Sequence, residues 1–97
     1  MDTRFFITGV YLPSGCRTLE QNLAAVVRPY VDHVLSYDAM LRLADLVRKE
    51  HDTLVAQNKR LRPVSIGVDL DGGSYNYRYF HIGQVSVQFR PVKGEII

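Results

Sequence analysis

The sequence predicts an α+β fold, a single small domain with two helices packed on one face of a small antiparallel sheet. Three observations support this prediction. Aromatic and β-branched residues open the chain, a long amphipathic segment occupies its centre, and short alternating stretches fill its last third. The predicted order is β-α-α-β-β-β, which is typical of two-layer domains whose helices lie on one side. A length of 97 residues fits one domain over residues 1–97.

The first predicted element is a strand over residues 4–12, where aromatic and β-branched side chains dominate. Gly9 interrupts this stretch and indicates a bulge or a close approach of another backbone. Residues 13–15, Pro-Ser-Gly, then form a turn.

A helix follows from Thr18, because Thr18 and Gln21 have the spacing of a capping box. Pro29 lacks the backbone N–H that a helix needs and disfavours helix at Arg28, so the helix ends or kinks there. Residues 30–35 fit either an apolar connector or a second short helix.

The main helix is predicted from about 37 to 61, with Ser36 or Asp38 as its N-cap. Two rows of residues at coiled-coil spacing run along it: Met40, Val47, Leu54 and Leu61 in the apolar row, and Ala44, His51 and Asn58 in the other. The narrow C-terminal end of the apolar stripe suits a helix that protrudes as a coil, and burial of this half-polar seam within its own domain is the alternative. The Arg62-Pro63 pair is expected to end the helix.

Three alternating stretches predict an antiparallel meander with strands over residues 64–70, 75–80 and 85–90. Residues 71–74, Asp-Gly-Gly-Ser, form the first turn, and residues 81–84 form the second. Pro91 predicts that the last strand ends there or lies at an edge.

The composition predicts a cytoplasmic protein. Cys16 is the only cysteine, so no internal disulfide can form and a reducing compartment fits. Asp2 and the short apolar run after it argue against a secretory signal, and no stretch approaches the roughly 20 apolar residues of a membrane span. The net charge of +2 is small, and its excess lies within residues 38–62. Tight binding of nucleic acid is therefore not favoured, although weak binding stays open.

The sequence shows no complete catalytic or metal-binding motif, so we expect a protein that is not an enzyme and needs no cofactor. His33, His51 and His81 lack helical i, i+4 spacing to one another and to Cys16, which argues against a metal site. Residues 69–73 resemble part of a calcium loop but lack its closing Glu, so we expect a hairpin turn instead. A helix N-terminus can lower the pKa of a thiol, so a small enzyme using Cys16 is the alternative.

Two surfaces are candidate partner-binding sites. The first is the strand that carries Tyr75, Tyr77, Arg78 and Tyr79, because tyrosine and arginine are enriched at protein interfaces and three tyrosines at alternate positions share one face. The second is the helix seam, with Leu54, Asn58 and Leu61 as its predicted contact residues. This seam could also join two copies of the chain. The tyrosines could equally stack bases or pack under the helices.

Residues 51–61 (His-Asp-Thr-Leu-Val-Ala-Gln-Asn-Lys-Arg-Leu) resemble helices in short early-region accessory proteins of lambdoid phages. Proteins of this kind, among them the anti-RecBCD recombination proteins, bind and redirect host enzymes. The resemblance implies a modulator or inhibitor of a host DNA-processing enzyme in the host cytoplasm. It is restricted to these residues and carries over no functional side chain.

From these observations we predict a protein-binding module whose partner is another protein. The alternative is a weak single-stranded nucleic-acid-binding protein that uses the strand with Tyr77, Arg78 and Tyr79.

Overall fold

The computed structural model describes residues 3–70 and 77–92. Within these ranges the elements are β1 (Arg4–Tyr11), α1 (Thr18–Val27), a 3-10 turn (Arg28–Tyr30), β2 (Val34–Ser36), α2 (Tyr37–Gln57), β3 (Ile66–Val68), β4 (Arg78–Ile82) and β5 (Val85–Val92). The strands form an antiparallel sheet in the order β2-β1-β5-β4-β3. The predicted α+β class is confirmed, with β2 as an additional strand between the helices.

The hydrophobic core lies between the helices and one face of the sheet. Alternate strand residues point into it, and all of the following are fully buried: Phe5 and Ile7 of β1, Phe80 and Ile82 of β4, and Val85, Val87 and Phe89 of β5. The rings of Phe5 and Phe89 meet edge to face at a centroid distance of 5.5 Å. Each such side chain contributes about 1.5–3 kcal/mol through burial, so the sheet is bound firmly to the helices.

Strand β2 is the element that the sequence left ambiguous within residues 30–35. Its Leu35 is buried opposite Phe5, whereas Val34 and Ser36 are exposed. Three residues are too few to show an alternation, and pairing with β1 decides the conformation. Ser36 also caps α2, because its hydroxyl accepts a hydrogen bond from the Ala39 N–H at 3.1 Å.

The main helix ends at Gln57, four residues before the predicted end. Asn58 is its C-cap and has extended backbone angles. The Asn58 side-chain oxygen accepts from the Arg60 N–H at 3.0 Å. Asparagine favours such local bonds over continued helix, so Asn58 ends α2 before the Arg62-Pro63 pair is reached.

Of the two alternatives for the seam, burial within the domain is the one observed, because the chain after α2 folds back along it. His51 Nε2 accepts a hydrogen bond from the Val64 N–H at 3.1 Å. Leu54, Leu61 and Val64 are partly buried against the core. His51 is therefore a partner of the returning chain, and the apolar row is covered within the domain.

Helix α1 begins at Thr18 as predicted, but a different pair of residues caps it. Arg17 is the N-cap, and Glu20 accepts a hydrogen bond from the Arg17 N–H at 3.1 Å. Gln21 instead donates to the Cys16 carbonyl at 3.0 Å. The helix stops at Val27, and Pro29 lies in the 3-10 turn that follows, as the proline predicted.

The meander of β3, β4 and β5 is confirmed, with altered bounds. Its predicted first turn, residues 71–74, lies outside the described residues. The second turn is tight, since Ile82 pairs directly with Val85. Strand β5 continues through the buried Pro91 to Val92. Pro91 lies beyond the last described pair of β4 with β5, where a missing N–H is tolerated.

The Glu20 carboxylate ties the start of α1 to the turn between β4 and β5. It is 1 % exposed and accepts a hydrogen bond from the Gln84 N–H at 2.5 Å. Burial alone raises the pKa of Glu20, but the N–H groups of Gln84 and Arg17 and the Arg17 charge outweigh it, so the pKa lies below its ordinary value. A Cβ at Gly83 would overlap Oε2 of Glu20.

Gly83→Ala is expected to destabilise the protein more than Gly15→Ala. Both glycines have positive φ, +59° and +83°, so alanine costs about 1–2 kcal/mol at either position. A Cβ at Gly15 meets no atom within 4 Å, whereas one at Gly83 displaces the Glu20 carboxylate. We expect a further loss of about 1–3 kcal/mol there in urea unfolding. Equal losses would show that Glu20 moves aside freely.

Glu20→Gln is expected to lower the free energy of unfolding by about 1–3 kcal/mol at neutral pH. The folded pKa is depressed, so the stabilisation is present above the ordinary carboxyl pKa of about 4.3 and is lost as the pH falls through the folded value. The difference from the unsubstituted protein should therefore shrink on acidification. Asp45→Asn is the control, since this carboxyl is 73 % exposed. A difference that persists in acid would contradict the assignment.

Candidate functional site

The face of the sheet turned away from the helices is its open face, formed by the outward side chains of the described strands. Alternation with the buried residues places Phe6 and Tyr11 of β1, Tyr79 and His81 of β4, and Ser86, Gln88 and Arg90 of β5 on this side. Tyr11 is 67 % exposed and Tyr79 is 44 % exposed. Large exposed aromatic side chains clustered on one surface indicate a binding site rather than a structural requirement.

Tyr79 is held in place by hydrogen bonds across the sheet. The Thr8 hydroxyl donates to the side-chain oxygen of Gln88 at 2.8 Å. The Gln88 amide nitrogen in turn donates to the Tyr79 hydroxyl at 3.1 Å. The first bond fixes which way the amide points, and the second fixes the phenol, so the ring is oriented before any ligand binds.

A bulge places Thr8 where it can make this bond. The register of β1 against β5 shifts between Ile7 and Gly9, which leaves Thr8 as the extra residue. The bulge that Gly9 indicated is thus confirmed. It re-aims the Thr8 side chain toward Gln88 on the open face.

The rings of Tyr79 and His81 lie close and nearly parallel, with centroids 6.2 Å apart and planes inclined by 26°. Both side chains are exposed, so they present flat surfaces to solvent. In the register of the sheet, Ser86 lies between His81 and Tyr11, and Gln88 lies between Tyr79 and Gly9. The aromatic groups therefore surround a small polar strip of β5.

Charge on the open face is positive. The Arg90 guanidinium lies over the Phe6 ring at 5.2 Å from its centroid, and Arg4 is exposed on the same strand as Phe6. The described strands carry no Asp or Glu. Among the described residues, the acidic group beside this face is Asp69, which follows β3. The face is thus suited to an anionic partner with flat groups.

Only part of the predicted site lies on the open face. Tyr79 is exposed there, Tyr77 is exposed just before β4, and Tyr75 lies outside the described residues. Arg78 faces the opposite side of β4, where its guanidinium donates to the Leu70 carbonyl at 2.9 Å. Arg78 therefore does not share the face of Tyr79 on β4, although it borders a recess that Tyr79 and His81 also line.

The chain itself covers part of the second predicted surface. Leu54 and Leu61 pack against the core, and Asn58 caps the helix, so this trio is not a shared exposed row. The sequence reading also missed several open-face residues, namely Phe6, Tyr11, His81, Gln88 and Arg90. Pairing of β1 with β5, which are far apart in the chain, brings them together, and local patterns do not show such pairing.

Cys16 lacks the properties of an activated nucleophile. Burial and the neighbouring Glu20 charge raise the pKa of its thiol, and the Arg17 charge lowers it by less. Its sulfur lies 3.9 Å from Glu20 Oε1. A raised pKa reduces the fraction of thiolate, the reactive form.

Within residues 3–70 and 77–92, no group of three or more His, Cys, Asp or Glu side chains is placed to hold a metal ion. No helix in these ranges has the length and apolar character to cross a membrane.

Comparison with protein-family models, with curated proteins and with solved structures finds no match to this chain.

The neighbours Tyr79 and Phe80 offer a test of which face is open. Tyr79→Ala removes an exposed ring and one hydrogen bond, so we expect a loss of at most about 1 kcal/mol. Phe80→Ala removes a fully buried ring and should cost about 3–5 kcal/mol. Urea unfolding of both variants provides the measurement. Similar large losses would show that Tyr79 belongs to the core and that this face is not free.

Proposed function

We propose that the protein is a non-enzymatic binding module that takes single-stranded nucleic acid on its open face. The observation that carries the proposal is the combination of exposed, pre-oriented aromatic rings with strands that bear arginine and, where described, no acidic residue. Bases stack on aromatic side chains whatever their sequence, and phosphates pair with arginine. The open face offers both groups on one surface.

Of the two functional classes predicted from the sequence, binding to a protein partner has lost part of its support. A protein partner was favoured because of the helix seam and the tyrosine–arginine strand. The chain itself covers part of the seam, and Arg78 does not share the face of Tyr79 on β4. The remaining support for binding is the open face, whose parallel rings of Tyr79 and His81 suit flat bases.

The charge of the face limits the strength of binding. Arg4 and Arg90 are the arginines available to phosphates among its described residues. For single strands each neutralised phosphate contributes a slope of about −0.7 to log K against log salt, so two give about −1.4. Binding is therefore weak and depends more on stacking than on charge, which agrees with the small net charge of +2.

A protein partner is the second candidate, favoured by the exposure of Tyr11 and Tyr77 at 67 % and 54 %. Tyrosine and arginine commonly dominate the energetics of protein interfaces. With a protein as its partner, the module is a phage-encoded modulator of a host DNA-processing enzyme, such as RecBCD, in the host cytoplasm. The resemblance of residues 51–61 supports it, and the open face would supply the contact.

The proposal predicts that a labelled thymidine oligonucleotide binds at low salt, measured by fluorescence anisotropy. Tyr79→Ala should weaken binding about tenfold, because one stacked base is worth about 1–3 kcal/mol. Arg90→Ala should make the salt slope shallower by about 0.7. Arg48→Ala is the matched control, since this arginine lies on α2 and is 46 % exposed, and its removal should leave the slope unchanged.

Absence of anisotropy change at low salt would exclude nucleic acid. Equal effects of Arg48→Ala and Arg90→Ala would show that the oligonucleotide responds to overall charge and not to the open face. In either case the protein-partner candidate is tested by capture from nuclease-treated bacterial lysate. A partner lost with Tyr11→Ala, and retained with Arg48→Ala, would support that candidate.

A further inference from the structure

Two glycines occupy outward positions on the open face without a structural reason to be glycine. Gly9 lies in β1 opposite Gln88, and Gly67 lies in β3 opposite His81. A Cβ built on either residue meets no atom within 4 Å, and neither has φ in the left-handed region. An alanine or valine could therefore occupy both positions without collision or backbone strain.

Glycine in a strand weakens the strand, because it loses more conformational freedom on folding and adds no side chain to pack. The bulge at Thr8 does not require it, since Gly9 has no positive φ. Where structure does not demand glycine in a strand, close approach of a ligand is a remaining reason for it. The two positions are therefore open for something that lies on the sheet.

Each glycine lies in a depression, and Tyr79 lines both depressions. The first has a volume of about 420 Å³ and is lined also by Gly9, Tyr11 and Gln88. The second has a volume of about 720 Å³ and is lined also by Gly67, His81, Asp69 and Arg78. The Tyr79 ring, held by Gln88, thus separates two recesses that lack a side chain at one outward position each.

We infer that these depressions are two base subsites, which hold neighbouring bases of a single strand on either side of Tyr79. The inference rests on the proposed function and names where its bases lie. In the first subsite Tyr11 and Tyr79 offer aromatic surface, and Ser86 and Gln88 offer polar groups to a base edge. Flat groups with polar edges fit such a recess, whereas the methyl groups of a filled position would exclude them.

The second subsite also offers aromatic surface to a base. Asp69 and Arg78 both border it, so groups of opposite charge lie at its rim. His81 stacks against Tyr79 beside it and extends the aromatic surface. Arg4 and Arg90 lie on the neighbouring central strands, so phosphates are placed toward that side of the open face.

The test fills the recesses with Gly9→Val and Gly67→Val, singly and together. Binding of a labelled thymidine or cytidine oligonucleotide is measured at low salt. The double variant should bind at least about tenfold more weakly, the loss expected when stacking of one base fails. Its melting temperature should equal or exceed that of the unsubstituted protein, because valine favours strand. Ala25→Val, at an exposed position of α1 on the helix side, is the control for added apolar bulk.

The outcomes separate the inference from the proposed function. If the unsubstituted protein binds and the double variant binds equally well, the subsites are overturned and the proposed function stands. If the unsubstituted protein does not bind, both fail. If valine at either position lowers the melting temperature, alanine replaces it, since the Cβ alone meets nothing within 4 Å. A weakened double variant with an intact fold, beside an unaffected Ala25→Val, supports the subsites.

Discussion

The two helices of this protein are wide enough to cover only one face of its sheet, and the arrangement of buried and exposed residues depends on this. In its described residues a five-stranded sheet is accompanied by α1 and α2, of 10 and 21 residues. Helices are about 10 Å wide and strands about 4.8 Å apart, so two helices cover roughly one face of five strands. The burial pattern follows, because every strand has one side in the core. The other side must meet solvent or a partner, and it carries the exposed tyrosines.

The turn between β4 and β5 couples the two faces of the sheet, the one that packs on the helices and the open face. The buried Glu20 carboxylate fixes this turn against the start of α1, and Gly83 leaves room for it. The same hairpin carries Tyr79 and His81 outward. A bond on the helix side thereby sets the position of rings on the opposite side. On the open face the bonds from Thr8 to Gln88 and from Gln88 to Tyr79 complete the support.

Local pattern was sufficient for the fold class, the bulge at Gly9, the end of α1 near Pro29 and the meander of the last three strands. These features depend on neighbours in the chain. The sequence failed where distant segments compete with local preference. Leu35 is in a strand because β1 pairs with it, and Leu61 is off the helix because Asn58 makes local bonds that end α2. For the same reason, only some residues of the candidate site were predicted from the sequence. Alternation grouped Tyr77 with Tyr79, but which face Tyr79 shares with Tyr11 and Arg90 is set by the pairing of β1 with β5.

The open face combines a rigid aromatic surface with little charge, and this combination limits the ligands it can hold. In the proposed function the few arginines supply little electrostatic attraction, so stacking and shape would supply the affinity. Stacking contributes most where the ring is already oriented, because no side-chain freedom is then lost on binding. Tyr79 meets this condition through Gln88, whereas the Tyr11 side chain is 67 % exposed. We therefore expect Tyr79 to supply the fixed stacking surface of the open face. Tyr11 is expected to adjust its position to the ligand.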